Sequence, residues 1–384
     1  MDITWTDDDE TFRAEVRTWL EEHVAAWRAL HGGDIHSGDT ATGFAQHLDW
    51  ERTLHDARLA AVSWPEAYGG RDASLWQWLI FEEEYYRAGA PQRVTQNGIF
   101  LLAPSLFEFG NDAQKAHILP RMSGAIDLWC QGWSEPNAGS DLASVSCRAD
   151  RVDGGWVLNG QKTWTTRGEF CTHLFGIFRS DPEQQRHRGL SYLLVPLDTD
   201  GVTVRGFERL DGDLGFAEVF FDDAFLADDA IDGGVLLGEA GAGWKVAMAT
   251  AGSERGLTLR SPGRFLATAE RVLGLAQRSG DPHLIRRATV AWTHAEAYQL
   301  QTLATVTRLA AGESAGAEAS LTKIWWSELD IELHEIELDA LGAAAEIDAA
   351  PSRGWQFALS GPIYAGANEV QRNIAAERLL GLPR

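Results

Sequence analysis

The chain is short of cysteine and of cations, and each shortage closes off a class of function. Its three cysteines, Cys130, Cys147 and Cys171, are odd in number and lack C-x-x-C spacing. Neither a disulfide framework nor a thiolate zinc site is therefore expected, and a cytoplasmic location is the expectation. Lys and Arg number 33 against 56 Asp and Glu, a formal charge of -23. A phosphate backbone would meet a repelling surface with no basic stripe to release its counterions, so no nucleic acid partner is expected. Small anions remain open, because a few N–H groups, hydroxyls and one Arg can make a local donor site inside an acidic protein. No stretch reaches the roughly 20 apolar residues of a bilayer span, and no membrane partner is expected. The opening Met1-Asp2, followed by Asp7-Asp8-Asp9-Glu10, also lacks the positive start and apolar core of a secretory signal.

Several familiar motifs fail on inspection. Gly155 and Gly160 have the spacing of a phosphate loop, but Gln161 stands where Lys is needed. Gly241-Ala242-Gly243 opens a dinucleotide fingerprint, but Val246 takes the place of the third glycine. Gly252-Ser253-Glu254-Arg255-Gly256 does not have nucleophile-elbow spacing. The histidines include no H-E-x-x-H, single ones such as His294 and His334 read as surface or core residues, and no metal is expected. Asp222-Asp223 to Asp228-Asp229 lacks a glycine-centred calcium loop and reads as a solvated loop edge.

What is present is the composition of a soluble globular protein of 384 residues, long enough for two or three structural units. From Thr6 a helix is expected, with Asp7 and Glu10 as its capping pair and Phe12, Val16, Trp19, Leu20, Val24 and Trp27 at helical spacing. A break at 31–43 precedes a second helix over 44–59, and more helix is expected from Ser74 to about Arg121. Near Trp129 the period changes. Trp156 to Leu158, Asn159 to Thr166, Leu190 to Leu197, Val202 to Val204 and Val219 to Phe221 read as strands. After the Gly238 to Gly243 loop, long Ala/Leu/Glu/Arg-rich segments read as a helical bundle. The order is α, β, α, with boundaries expected at 1–126, 127–235 and 236–384. Among the 16 Trp, the pair Trp325-Trp326 on a bundle helix is expected to pack against a neighbouring subunit.

One loop combines flat aromatics, glycines and hydroxyls: Trp129-Cys130-Gln131-Gly132-Trp133-Ser134-Glu135-Pro136-Asn137-Ala138-Gly139-Ser140-Asp141-Leu142. Glycine admits close backbone approach, Ser134 and Ser140 donate hydrogen bonds, and Trp133 offers a face to a planar ring. A capped turn packing a Trp would use the same residues.

Taken with Asn159 to Thr166, Gly238 to Trp244, and Glu369-Val370-Gln371-Arg372-Asn373 through Gly381-Leu382-Pro383-Arg384, this segment resembles the acyl-CoA dehydrogenases, colinearly from about Trp64 to the last residue. The resemblance implies an α+β fold with a helical N-terminal domain, a central β-barrel-like domain and a C-terminal four-helix bundle, and FAD as cofactor. It implies that Gln131, Trp133 and Ser134 line the isoalloxazine ring, that Trp164 covers it and that Thr166 reaches its N5 region. Gly139 and Ser140 would face flavin and CoA pantetheine. The implied reaction is α,β-desaturation of an acyl-CoA, with electrons passed to an electron-transfer flavoprotein and a homotetramer or heterotetramer as assembly.

The chemistry needs a carboxylate to take the α-proton. Many family members carry that Glu directly after the Tyr of the C-terminal motif, but this chain has Tyr364-Ala365-Gly366-Ala367. A minority branch supplies the base from a bundle helix as a Glu-Arg pair. Glu254 is thus the candidate base, and Arg255 its electrostatic partner near substrate. Ala367 and Asp339 also depart from the family pattern, where Thr and Gln help hold flavin, and Glu369 takes the place of another such contact. Moving the base to the helix changes the side from which the α-carbon is reached, which could admit a bulky or branched acyl group. The rivals are a flavin oxidase or hydroxylase on the same scaffold and a non-catalytic subunit of a heteromeric enzyme.

Overall fold

The computed structural model describes residues 4–32, 35–254, 261–313, 316–347 and 349–383. In chain order its helices are α1 (Asp7–Leu30), α2 (Ala41–Asp56), α3 (Leu75–Arg87), α4 (Ala103–Phe109) and α5 (Asp112–Ser123). Seven strands follow: β1 (Trp129–Gly132), β2 (Arg148–Val152), β3 (Gly155–Thr166), β4 (His173–Arg179), β5 (Leu190–Pro196), β6 (Val202–Phe207) and β7 (Phe216–Ala227). The chain closes with α6 (Gly243–Glu254), α7 (Pro262–Ser279), α8 (Pro282–Ala310), α9 (Glu318–Leu341), α10 (Ala344–Ile347), α11 (Ala349–Ala358) and α12 (Asn368–Arg378). Among the described residues no helix is long and apolar enough to cross a membrane. The chain divides into two compact units, one of residues 1–29, 73–90 and 255–384, the other of residues 30–72 and 91–254.

The helical unit is built on an alanine ridge. Ala288, Ala291 and Ala295 of α8 are buried with Ala269 and Ala276 of α7, so the two backbones meet with little side chain between them. Phe265, Tyr298, Trp326, Leu329, Leu333 and Ile336 complete the core. Trp326 therefore lies inside its own chain, and Trp325 packs on Tyr298 with ring centroids 6.3 Å apart. The expectation that this pair faces a neighbour is corrected for Trp326, because α9 turns it into the bundle. At the start of α1, Thr6 and Asp9 bond reciprocally, Thr6 Oγ1 accepting from the Asp9 N–H at 3.2 Å. They replace the expected Asp7 and Glu10 pair, since only Thr6 lies outside the first turn.

The other unit holds a seven-stranded mixed sheet in the order β1-β4-β2-β3-β7-β6, with β5 also paired to β4. Strands β1 and β4 run parallel, while β3 and β7 form a long antiparallel pair interrupted at Leu158/Gly160 and Lys162/Thr165. Gly160 sits at the first break with φ +133°, and a Cβ there would meet Cys147 at 2.9 Å. Its spacing from Gly155 serves a bulge, not a phosphate. Asp222 and Asp223 lie within β7 and not on a loop edge, with the Asn159 amide bonding both the Asp223 N–H and its carboxylate at 3.0 Å. The helical stretch expected from Ser74 to about Arg121 consists of α3, a π-helical turn over Asn97–Leu102, α4 and α5. Gly89, Pro91 and the residues between stop α3, and Gly110 stops α4.

If the alanine ridge is close-packed as described, Ala291→Leu overfills it and should cost about 1–3 kcal/mol. A lower urea midpoint at unchanged slope is the expected result; an unchanged midpoint would show a looser ridge.

Candidate active site

The sheet gathers seven of the residues singled out in the sequence. Strand β1 delivers Gln131 to the edge of β4, opposite Phe175. The chain then turns through Ser134, whose carbonyl accepts from the Thr163 N–H at 2.9 Å, and so joins β3 three residues before its end. Trp164 and Thr166 stand on that end, and Gly139 and Ser140 on the exposed turn beyond Ser134.

A buried ion pair fixes this junction. Lys162 is fully buried, and its ammonium donates to Glu135 Oε1 at 2.8 Å, to the Ile177 carbonyl at 2.6 Å and to the Trp133 carbonyl at 3.3 Å. The Glu135 carboxylate also accepts from the N–H groups of Ser146 (2.7 Å) and Cys147 (2.9 Å) and from the Ser146 hydroxyl (3.0 Å). Burial alone would push the Glu135 carboxyl up. Lys162 and the two N–H donors outweigh it and hold Glu135 below the usual carboxylate range. The nearby Arg179, also buried, spends its guanidinium on the carbonyls of Ala143, Val145, Arg186 and Arg188 at 2.5–3.3 Å. It ties the 143–145 turn to the loop between β4 and β5. Neither Lys162 nor Arg179 offers a sequence signal, because their partners, 7 to 36 residues away, follow no periodic spacing and are brought together by the fold.

Three alternate residues at the start of the sheet share an unusual property. Trp129 Nε1, Gln131 Nε2 and Trp133 Nε1 are buried N–H donors without an acceptor among the described residues. Period-two spacing along an extended chain places such residues on one face. Each buried donor left unpaired costs about 1–3 kcal/mol, so the row points to an acceptor-rich group absent from the chain itself. The carbonyl oxygens and ring nitrogens of an isoalloxazine are such acceptors, and the residues fit that ring. Trp133 stands edge-on to Tyr192 at 6.3 Å, whereas Trp164 is 59% exposed and meets Phe207 and Phe216 edge-on at 5.2 and 5.5 Å.

Glu254, Asp339 and Glu369 belong to helices and not to the sheet. Glu254 is the last residue of α6, but its side chain and the whole of Arg255 lie outside the described residues. Helix α6 is anchored one turn earlier, where the buried Thr250 hydroxyl meets Ser105 Oγ at 2.7 Å and the Tyr192 hydroxyl at 3.2 Å. At its other end Gly243 touches β5, where a Cβ would lie 2.6 Å from the Ser191 backbone. That contact, not phosphate binding, explains the Gly-Ala-Gly run. In the helical unit, Glu369 is exposed in the first turn of α12 and Asp339 pairs with Arg287 at 2.5 Å. Ala365 has φ +55°, a left-handed conformation that a β-carbon disfavours.

Three family models match the chain in order. "Acyl-CoA dehydrogenase, N-terminal domain" covers residues 6–125, "Acyl-CoA dehydrogenase, middle domain" residues 130–224 and "Acyl-CoA dehydrogenase, C-terminal domain" residues 241–380. The acyl-CoA dehydrogenase IpdE1 of Mycolicibacterium smegmatis is 39% identical over 98% of this chain and 98% of its own length. IpdE1 of Mycobacterium tuberculosis is 40% identical with the same coverage. Among solved structures, the Tcur3481-Tcur3483 steroid ACAD aligns with a TM-score of 0.86 at 25% identity, covering all of both chains. The ChsE4-ChsE5 complex from Mycobacterium tuberculosis aligns with a TM-score of 0.83 at 28% identity, again over both full lengths.

Because Glu135 titrates below its unfolded value near 4.3, its contribution to stability is fully present above that pH. It is lost as pH falls through the lower folded-state value. Glu135→Gln leaves the Lys162 ammonium buried without a counter-charge and should cost about 3–5 kcal/mol at pH 7. The loss should shrink below pH 4, as measured by urea unfolding; an equal loss at pH 3 and pH 7 would contradict the ion pair.

Proposed function

Because the chain belongs to the acyl-CoA dehydrogenase family, and is thus an oxidoreductase, we propose that it binds FAD beside β1 and the end of β3 and desaturates an acyl-CoA thioester between Cα and Cβ. The row of unpartnered donors on Trp129, Gln131 and Trp133 carries the FAD assignment. FAD, when bound, accepts the β-hydride at N5.

The protein's own groups do the rest. Gln131 and Ser134 would hold the ring edge, Trp133 would pack beside it, Trp164 would cover a face and Thr166 would reach the N5 region. Gly139 and Ser140, on their exposed turn, offer an N–H and a hydroxyl to the pantetheine and the flavin. Glu254 would take the α-proton with Arg255 as its electrostatic partner near the substrate, and Glu369 would be a further cofactor contact. The proton leaves with the glutamate and the hydride with the cofactor, so the product is the trans-2-enoyl thioester. A base supplied by Glu254 and not by position 365, which is alanine, would change the side from which the α-carbon is reached and so favour a branched or bulky acyl group. Relatives include a protein described as a steroid ACAD, which supports bulky thioesters as the substrate class. Electrons then pass to an electron-transfer flavoprotein, in the cytoplasm.

A second reading concerns assembly. Two similar structures carry paired chain names, and Ala367 and Asp339 depart from the family's flavin-holding pattern. A tetramer of this chain with a second, related chain would supply the missing contacts. Light scattering and flavin content of the chain purified alone decide between this and a homotetramer: a colourless protein that turns yellow with a co-expressed partner supports the heteromer.

Anaerobic mixing of the FAD-loaded protein with branched and steroid-side-chain acyl-CoAs should bleach the flavin. Glu254→Gln should slow bleaching by about 10²–10⁴-fold, the usual worth of a general base, with FAD still bound. Bleaching at an unchanged rate in that variant removes Glu254 from the mechanism; reduction only by non-thioester substrates favours a same-scaffold oxidase or hydroxylase.

A further inference from the structure

The end of β3 is held in an unfavourable backbone conformation by a second buried ion network. Trp164 and Arg167 both have left-handed backbones, with φ +58° and +53°. Thr165 and Thr166 lie between them. The break in the β3–β7 pairing between Lys162 and Thr165 turns Trp164 outward. Non-glycine residues in this region cost energy and persist only where their surroundings over-determine them.

The determinant at Arg167 is plain. Its N–H donates to the Gly215 carbonyl at 3.0 Å, and its Nε donates to Asp39 Oδ1 at 2.5 Å. The other Asp39 oxygen accepts from Arg209 Nη1 at 2.8 Å. Arg209 in turn donates to both oxygens of Asp211 at 2.7 and 3.2 Å, and lies 3.5 Å from Asp213. Asp39 is 3% exposed and Arg167 is 6% exposed. A residue from the segment before α2 thus ties the last turn of β3 to the β6–β7 turn, 128 positions along the chain.

We propose that Asp39 is a positioning residue for the flavin contacts of Trp164 and Thr166. Its carboxylate joins Arg167 to Arg209 and so locks the left-handed turn that sets where Trp164 and Thr166 stand. This rests on the FAD reading above. With Asp39 neutral, the buried Arg167 guanidinium loses its counter-charge while the half-buried Arg209 keeps Asp211 and Asp213, Arg167 leaves the left-handed region, and the Trp164–Thr166 segment moves relative to Ser134.

The test uses the full chain loaded with FAD, and Asp39→Asn and Arg167→Lys variants with no acyl-CoA present. Both variants should change the visible circular dichroism of the bound flavin and shift its midpoint potential. Asp39→Asn should weaken FAD binding about tenfold, and Arg167→Lys less, because an ammonium keeps the charge but loses the fork. Asp39→Glu should restore most of the wild-type flavin spectrum. Folded variants with wild-type flavin dichroism and potential would overturn the proposal. If Asp39→Asn does not fold, Arg167→Lys decides alone, and an unshifted potential there overturns it equally. Wild-type protein that takes up no FAD would instead sink the reading beneath it.

Discussion

The contact between Lys162 and Glu135 is the constraint on which the rest of the candidate site depends. It joins β3 to the turn after β1, and through the Ile177 carbonyl it reaches β4 as well. Two strands and one turn are fixed by one ammonium whose three hydrogens are all used. Desolvating two charges is expensive, and an apolar pair would often be at least as stable. What hydrophobic packing cannot supply is direction: an ammonium with three acceptors fixes the Trp133 carbonyl in space, and the Ser134 carbonyl follows through Thr163. The strained end of β3 lies two residues further on. Removing the pair would therefore disturb the sheet's register and the site together.

Much of the fold was legible because it rests on local patterns. The helical repeat of α1 reads directly from Phe12, Val16, Leu20, Val24 and Trp27, all buried. Trp19 fits the same spacing yet stays half-exposed and stacks on His23, since a stripe of apolar residues does not reveal its own edges. Strand β4 was missed although His173 to Arg179 is nearly all apolar, because a short buried run looks the same in a helix or a strand. Asn159 to Thr166 was legible as extended. Its bulge and the left-handed Trp164 were not, because both follow from pairing with β7.

The candidate site was legible to the extent that it is made of unusual residue mixtures. Gln131, Trp133, Ser134, Trp164 and Thr166 lie on adjoining segments at one sheet. The residues that hold them were invisible, because Glu135, Lys162, Arg167 and Asp39 are ordinary charged residues whose partners are distant in sequence. Their burial is a tertiary fact. No periodicity or spacing carries it.

The acidic balance of the chain takes on a more specific meaning in this light. The sheet-bearing unit buries Arg93, Lys162, Arg167 and Arg179 despite the overall negative charge. Each is committed to the protein itself: Arg93 to Glu51 at 2.8 Å, Lys162 to Glu135, Arg167 to Asp39, and Arg179 to four carbonyl oxygens. None of these interior cations is left as a point charge for an anionic ligand. A phosphate-bearing ligand meeting the interior of this unit would find oriented N–H groups and hydroxyls, such as those of the Asn137 to Ser144 turn, and not a buried free cation. Such sites favour a ligand whose shape matches fixed dipoles over one that merely carries negative charge. The same acidic surface that repels nucleic acid thus leaves selectivity for a small anionic ligand intact.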